Sequence, residues 1–183
     1  MAWIQTATGQ RFDLATPSPD QVSLPDIAHA LGHLCRFNGH TYVPYSVARH
    51  SLLVAELVPP EHRLQALLHD AHEAYIGDVS TPLKWILPEY RAIEKPVWRA
   101  VAAAFGIPEE LAPAVKHADR VMLMTERRDL LVHCPEPWDL EFEAITPRAR
   151  TISFADTRGF GRSDARDFSA AVTAELLKRR GSA

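Results

Sequence analysis

The sequence predicts an all-α protein: one compact domain, a helical bundle, with a short β-hairpin at its N-terminus. Three observations carry that expectation. In segment after segment of the 183 residues, apolar side chains recur at i, i+3, i+4 and i+7, the period of a helix with one buried face. Residues that start and stop helices bracket those segments. No internal repeat and no low-complexity linker divides the chain, and its length suits a single core spanning residues 1–183.

Taken in order, WIQTATGQRFD (3–13) alternates apolar and polar residues around Gly9 and reads as a hairpin. SLPD (23–26) is a helix start, with Ser23 as N-cap and an acidic residue three positions on. Ile27, Ala30, Leu31 and Leu34 form the stripe of that helix, which breaks at Asn38-Gly39. A second helix is expected from about Ser46 to Leu57, ending before Pro59-Pro60. The third runs from about Glu61 to Ile76 and stops at Gly77. STPLK (80–84) restarts a helix with Pro82 in its first turn. Glu89 to Phe105 is helical by pattern, with Pro96 expected to kink or divide it, and Pro108 to about Val132 forms the next long helix. Residues 133–165 hold three prolines, scattered aromatics and turn signals, so irregular structure with a short strand is expected. A last helix covers about Asp164 to Arg179, with Phe168, Ala171, Val172 and Leu176 facing inward.

Composition narrows the function without naming it. Hydrophobic content of 46% and charged content of 23% are ordinary for a soluble globular domain. A net charge of −3 gives no electrostatic footprint for nucleic-acid polymers or anionic membranes. No apolar run approaches the roughly 20 residues of a membrane span, and MAWIQTATGQ lacks the pattern of a signal peptide. Cys35 and Cys134 make no disulfide framework and suit a reducing cytoplasm.

Chemistry concentrates in LLHDAHEAYIGD (67–78), where His69, Asp70, His72 and Glu73 interrupt an apolar helical segment and Asp78 follows. Ionisable groups on a core helix need partners or a metal. His50 shares the stripe of Leu53, Val54 and Leu57, and Asp119 shares a face with Val115, Met122 and Leu123. Each such residue alone is most often a hydrogen-bonded core group. Together, three helices bring two imidazoles and two carboxylates that suit a divalent transition metal with open positions. Mn²⁺, Co²⁺, Fe²⁺, Ni²⁺ and Zn²⁺ all fit such ligands. A zinc protease is excluded by spacing, because the position for a second histidine after His72-Glu73 holds Ile76.

The order His50, His69-Asp70, Asp119 resembles the HD-domain metal-dependent phosphohydrolases. CRFNGH, YSVARHS, HDAHEAYIGDVSTPLK, EYRAIE and VKHAD together are similar to the branch that contains bacterial 5′-deoxynucleotidases and phage-type dATP triphosphohydrolases, over roughly residues 26–132. The resemblance implies that His50, His69, Asp70 and Asp119 bind one divalent metal and that Glu73 is the acid/base. It implies that Asp78 holds the reacting water or the sugar end, and that Arg36 contacts the substrate phosphate. Phe37 stands where these deoxynucleotidases carry a tryptophan against the nucleoside. His72 departs from the small residue of the family; it reaches a phosphate oxygen, supports a second metal or lies on the surface. Lys84 and Lys116 are candidate phosphate cations. The implied activity is cleavage of the 5′-phosphate ester of a small-molecule deoxynucleotide, mono- or triphosphate, by a cytoplasmic homo-oligomer. The alternative is a catalytically silent metal-binding helical module for protein interaction, which would not need Glu73, Asp78 and Arg36 beside the ligands.

Overall fold

In the computed structural model, which describes residues 2–136, 138, 148 and 150–181, strands β1 (Trp3–Gln5) and β2 (Arg11–Asp13) pair antiparallel with Ile4 opposite Phe12. The turn passes through Gly9 at φ +84°, a conformation that favours a residue without Cβ. A lone hairpin is marginal in water. This one is held by Phe12, fully buried and stacked on Tyr75 with centroids 3.8 Å apart. Thr8 adds two bonds to the Asp26 carboxylate, at 2.7 Å from its N–H and 2.8 Å from its hydroxyl. The other elements are helical.

Helix α1 (Leu24–His33) begins at the expected cap, with Ser23 accepting from the Asp26 N–H, and buries Ile27 and Leu31 completely. After it, Arg36 N–H donates to Tyr45 O at 2.9 Å and Val47 N–H to Leu34 O at 3.1 Å, so a strand-like bridge clamps both ends of the following loop. Helix α2 (Val47–Ala55) is capped by Ser46, whose Oγ accepts from the Arg49 N–H at 3.0 Å. It ends short of Leu57, where the chain tightens into a turn and leaves that side chain 38% exposed.

The expected third helix is broken, and the break falls on the histidines. Helix α3 (Arg63–Leu68) stops, residues 69–72 form a turn, and α4 (Glu73–Ile76) follows up to Gly77. His69 supplies a reason: its Nδ1 takes the Ala66 carbonyl at 2.7 Å, the acceptor an unbroken α-helix would offer to residue 70. The backbone continues with three-residue bonds instead, Ala71 N–H to Leu68 O at 2.9 Å and Glu73 N–H to Asp70 O at 3.0 Å. Such tightening eclipses positions i and i+3. It aligns Asp70 with Glu73.

Helix α5 (Thr81–Ile86) carries Pro82 in its first turn. Helix α6 (Pro88–Ala104) is not divided at Pro96; burial of Val97, Ala100 and Val101 on one face offsets the missing N–H. Helix α7 (Pro113–Leu130) starts later than the expected Pro108. Pro113 biases Ala112 towards extended backbone, ψ 145°, and the buried Gln65 amide occupies the preceding loop. It donates to Pro108 O at 3.1 Å and Glu110 O at 2.9 Å and accepts from the Ala112 N–H at 2.9 Å. Between 133 and 165 the described residues include a helical turn, α8 (Phe154–Thr157), and no strand; positions 137, 139–147 and 149 lie outside the described residues, so the expected strand there falls partly outside them.

Helix α9 (Arg162–Gly181) buries Phe168 and Val172 and rests Ala171 and Leu176 on the core, as the sequence pattern requires. It lies along α1 and touches α2 and α3. At the crossing, Gly161 N–H donates to Gly32 O at 2.7 Å, and a Cβ on Gly32 would stand 2.7 Å from Gly161 O and 2.8 Å from Ala165 Cβ. The buried Asp164 carboxylate accepts from Arg49 Nε at 2.9 Å and Nη2 at 2.7 Å, and from Ser46 Oγ at 2.5 Å. Helix α7 packs on α2 from another side and so faces His50.

Candidate metal centre and its cleft

His50 (α2), His69 (the break after α3) and Asp119 (α7) meet, and one ligand atom from each lies within 4.8 Å of the others. The group could hold a metal ion. His50 is fully buried and His69 nearly so, while Asp119 opens to solvent with its side chain 42% exposed. His50 Nε2 stands 3.1 Å from Asp119 Oδ1 and 3.7 Å from Asp70 Oδ2. His69 Nε2 stands 3.2 Å from Asp70 Oδ2 and 3.7 Å from Asp119 Oδ1. Asp70 therefore borders the same point.

The outer hydrogen bonds decide which nitrogen each imidazole presents. Ala66 O can only accept, so His69 Nδ1 must carry its proton, and the neutral ring turns the Nε2 lone pair inward. His50 Nδ1 faces Glu126 Oε1 at 2.6 Å, again an acceptor. Two lone pairs directed at two carboxylates repel unless a cation lies among them. His69 Nε2 is buried with no hydrogen-bond partner among the described residues. The donor set thus fits a divalent ion held by imidazole and carboxylate.

Without that ion the protons shift to meet the same demand. Burial and the nearby Arg36 charge push the His50 pKa down, but the Glu126 and Asp119 carboxylates outweigh them and it ends raised. Burial likewise opposes the His69 charge, yet Asp70 and Asp119 hold its pKa well above the ordinary value. Asp119 shows the reciprocal effect: desolvation is overcome by the hydrogen bond from His50 and the adjacent His69 imidazole, and its pKa lies well below normal. The centre is built for cationic charge.

Beside it opens a cleft of about 710 Å³. Asp70 and Asp119 line it together with five expected site residues: Arg36, Phe37, Glu73, Asp78 and Lys84. Burial, then the Asp70 and Asp78 charges, raises the Glu73 pKa well above the ordinary glutamate value, and its Oε2 is buried with no hydrogen-bond partner among the described residues. Asp78 is raised too, chiefly by burial. Arg36 Nη1 lies 3.7 Å from Asp70 Oδ2. Lys84 is held by Glu94 at 2.5 Å; burial works against its charge, but Glu94 keeps its pKa raised.

Two expected residues are not brought to the cleft. His72 turns away and is buried rather than on the surface, with Nε2 3.2 Å from Glu94 Oε1 and its ring edge-on to Trp98. Lys116 is exposed and pairs with Glu110 at 3.7 Å. Three residues went unmarked in the sequence. Glu94 closes EYRAIE, and burial of its carboxyl is outweighed by the bonds from His72 and Lys84, which lower its pKa to about 2. Trp138 lines the cleft 6.3 Å from the Phe37 ring, and no motif announced it. Glu126 follows Asp119 by seven positions, two turns along the same helix face, which is the signal that could have found it.

Fold and site define a mostly helical protein with a two-stranded hairpin and a buried His/Asp group able to hold a metal ion beside an open cleft. The chain belongs to the family of the uncharacterized protein YfdR of Escherichia coli (strain K12), to which it is 42% identical over 162 residues, 88% of this chain and 91% of that protein. It is also 40% identical over 143 residues to the uncharacterized protein RCAP_rcc00048 of Rhodobacter capsulatus, 70% of this chain and 73% of that protein. No family model matches the chain.

Proposed function

We propose that the protein is a metal-dependent phosphohydrolase of the HD-domain kind, cleaving the 5′-phosphate ester of deoxynucleotides. The observation that carries this reading is the buried Glu73 Oε2, without a hydrogen-bond partner among the described residues, in a cleft that Asp70, Asp119 and Arg36 also line. A site meant only to hold an ion has no need of a proton-carrying carboxyl or a cation beside it.

His50, His69, Asp70 and Asp119 would hold one divalent ion, Mn²⁺, Co²⁺, Fe²⁺, Ni²⁺ or Zn²⁺, which supplies Lewis acidity to the phosphoryl group and lowers the pKa of water. Arg36 binds a phosphate oxygen through the Nη1 that faces the cleft. Water forms the new P–O bond as the P–O5′ bond breaks. Glu73 takes the water's proton and returns one to the departing O5′, and its raised pKa suits both roles. Asp78 orients the water or the sugar end, and Phe37 with Trp138 walls the nucleoside side. A deoxynucleoside monophosphate then gives deoxynucleoside and phosphate, and a triphosphate gives deoxynucleoside and inorganic triphosphate. Lys84 is the cation in place for a longer phosphate tail. Cytoplasmic location and a homo-oligomeric state belong to the same proposal.

The test is a screen of deoxynucleotides and ribonucleotides with the five metals, reading phosphate and nucleoside. Turnover of dAMP or dATP with release of deoxyadenosine, and slower turnover of AMP, is expected. Metal uptake without hydrolysis of any nucleotide would leave the silent-module alternative. Early dADP or dAMP from dATP would show attack elsewhere in the tail.

A further inference from the structure

The Glu126 side chain is completely buried, yet it is surrounded by donors from three separate parts of the chain. Its Oε1 accepts from Tyr45 Oη at 2.9 Å and faces His50 Nδ1 at 2.6 Å. Its Oε2 accepts from Arg36 Nε at 3.0 Å and Nη2 at 2.9 Å. These bonds use the inner edge of the guanidinium and leave Nη1 towards Asp70 and the cleft. They also use the far nitrogen of the imidazole and leave Nε2 towards Asp119.

We propose that Glu126 is a positioning residue that couples the metal centre to the anion-binding side of the cleft, by fixing the His50 tautomer with one carboxylate oxygen and the Arg36 guanidinium with the other. A buried Arg–Glu pair serving packing alone would be replaceable by apolar groups of similar volume. Here the same carboxylate also selects which imidazole nitrogen is free. A carboxylate behind a ligating histidine orients the ring and raises its basicity. The inference rests on His50 being a ligand, as in the function proposed above, and not on the identity of the substrate.

Glu126→Gln keeps the shape but turns one acceptor into a donor that must face either His50 Nδ1–H or Arg36. The measurement is Co²⁺ affinity and the Co²⁺ d–d spectrum, followed by binding of inorganic phosphate to the Co²⁺-loaded protein. Co²⁺ affinity is expected to fall about 10–100-fold, the usual effect of losing such a partner, and phosphate binding to weaken with it. Tyr45→Phe removes a bond to the same carboxylate from an equally buried ring, and is expected to leave Co²⁺ affinity near wild type. Affinity within twofold of wild type in Glu126→Gln, or equal losses in both variants, would overturn the coupling. If Glu126→Gln fails to fold, the wild-type Zn²⁺-loaded protein still decides: ¹⁵N signals of His50 should show Nδ1 protonated and Nε2 metal-bound. The reverse assignment removes Glu126 from the role.

Discussion

Glu73 shows how a site residue can work against the fold that carries it. Folding raises its pKa, because burial penalises the charged form. The sign follows: above the ordinary value of 4.5 the unfolded chain releases this proton more readily, so the group costs stability, and below 4.5 the cost vanishes. In metal-free protein, Glu73→Gln is therefore expected to raise Tm near neutral pH, by about 2–4 °C per kcal/mol relieved, with the gain shrinking towards pH 4.5. In the phosphohydrolase reaction proposed above, the same variant should take up metal as wild type does and lose roughly 10²–10⁴-fold in turnover, the contribution of a positioned acid or base. An unchanged Tm at both pH values, or unchanged turnover, argues against the role. His50, His69 and Asp119 were legible in the sequence because residue type and helical phase both mark them. Lys116 misled, since three positions back on a helix side chains lean towards the N-terminus, here to Glu110, and away from Asp119's partners. Glu126 escaped because its partners, Arg36 and Tyr45, are remote in sequence.

Helices α1, α2 and α9 were legible from their apolar stripes and flanking signals, since local propensity and burial agree there; α6 was legible in extent, but the division expected at Pro96 does not occur because burial of one face outweighs the proline. The break at residues 69–72 was not, because no glycine or proline marks it and the His69 side chain competes for a backbone carbonyl. The start of α7 was obscured similarly, by a Gln65 side chain that captures its loop. The α1–α9 crossing allows a sharper statement. Gly32→Ala puts a methyl against the Gly161 carbonyl and Ala165 Cβ, with backbone on one side and no flexible end to yield. A loss of about 1–3 kcal/mol is expected, the range for overpacking. Urea unfolding measures it, and a midpoint equal to wild type would show that the two helices slide apart freely.

At the scale of the molecule, the centre gathers residues from α2, the segment after α3, and α7, so an ion bound there stabilises the folded state only. At one hundred times its dissociation constant such a ligand adds about 2.7 kcal/mol, or roughly 5–10 °C in a chain of this size. A chelator is expected to lower Tm by that order, and His69→Ala to abolish the response. A chelator-insensitive melt in protein shown to contain metal would contradict it.

The Asp164 carboxylate has a consequence in time as well as in space. His50 stands on α2, and α2 is anchored by Arg49 and Ser46 to a residue 115 or more positions further along. During synthesis, the hairpin, α1 and α2 leave the ribosome with Arg49 unpaired and the α1 groove at Gly32 empty. All the side chains of the candidate metal centre have already been made by residue 119, yet their scaffold closes only when residues from Arg162 onward arrive. A nascent chain stalled at residue 150 should therefore be digested readily by protease, and one extended past residue 181 should resist.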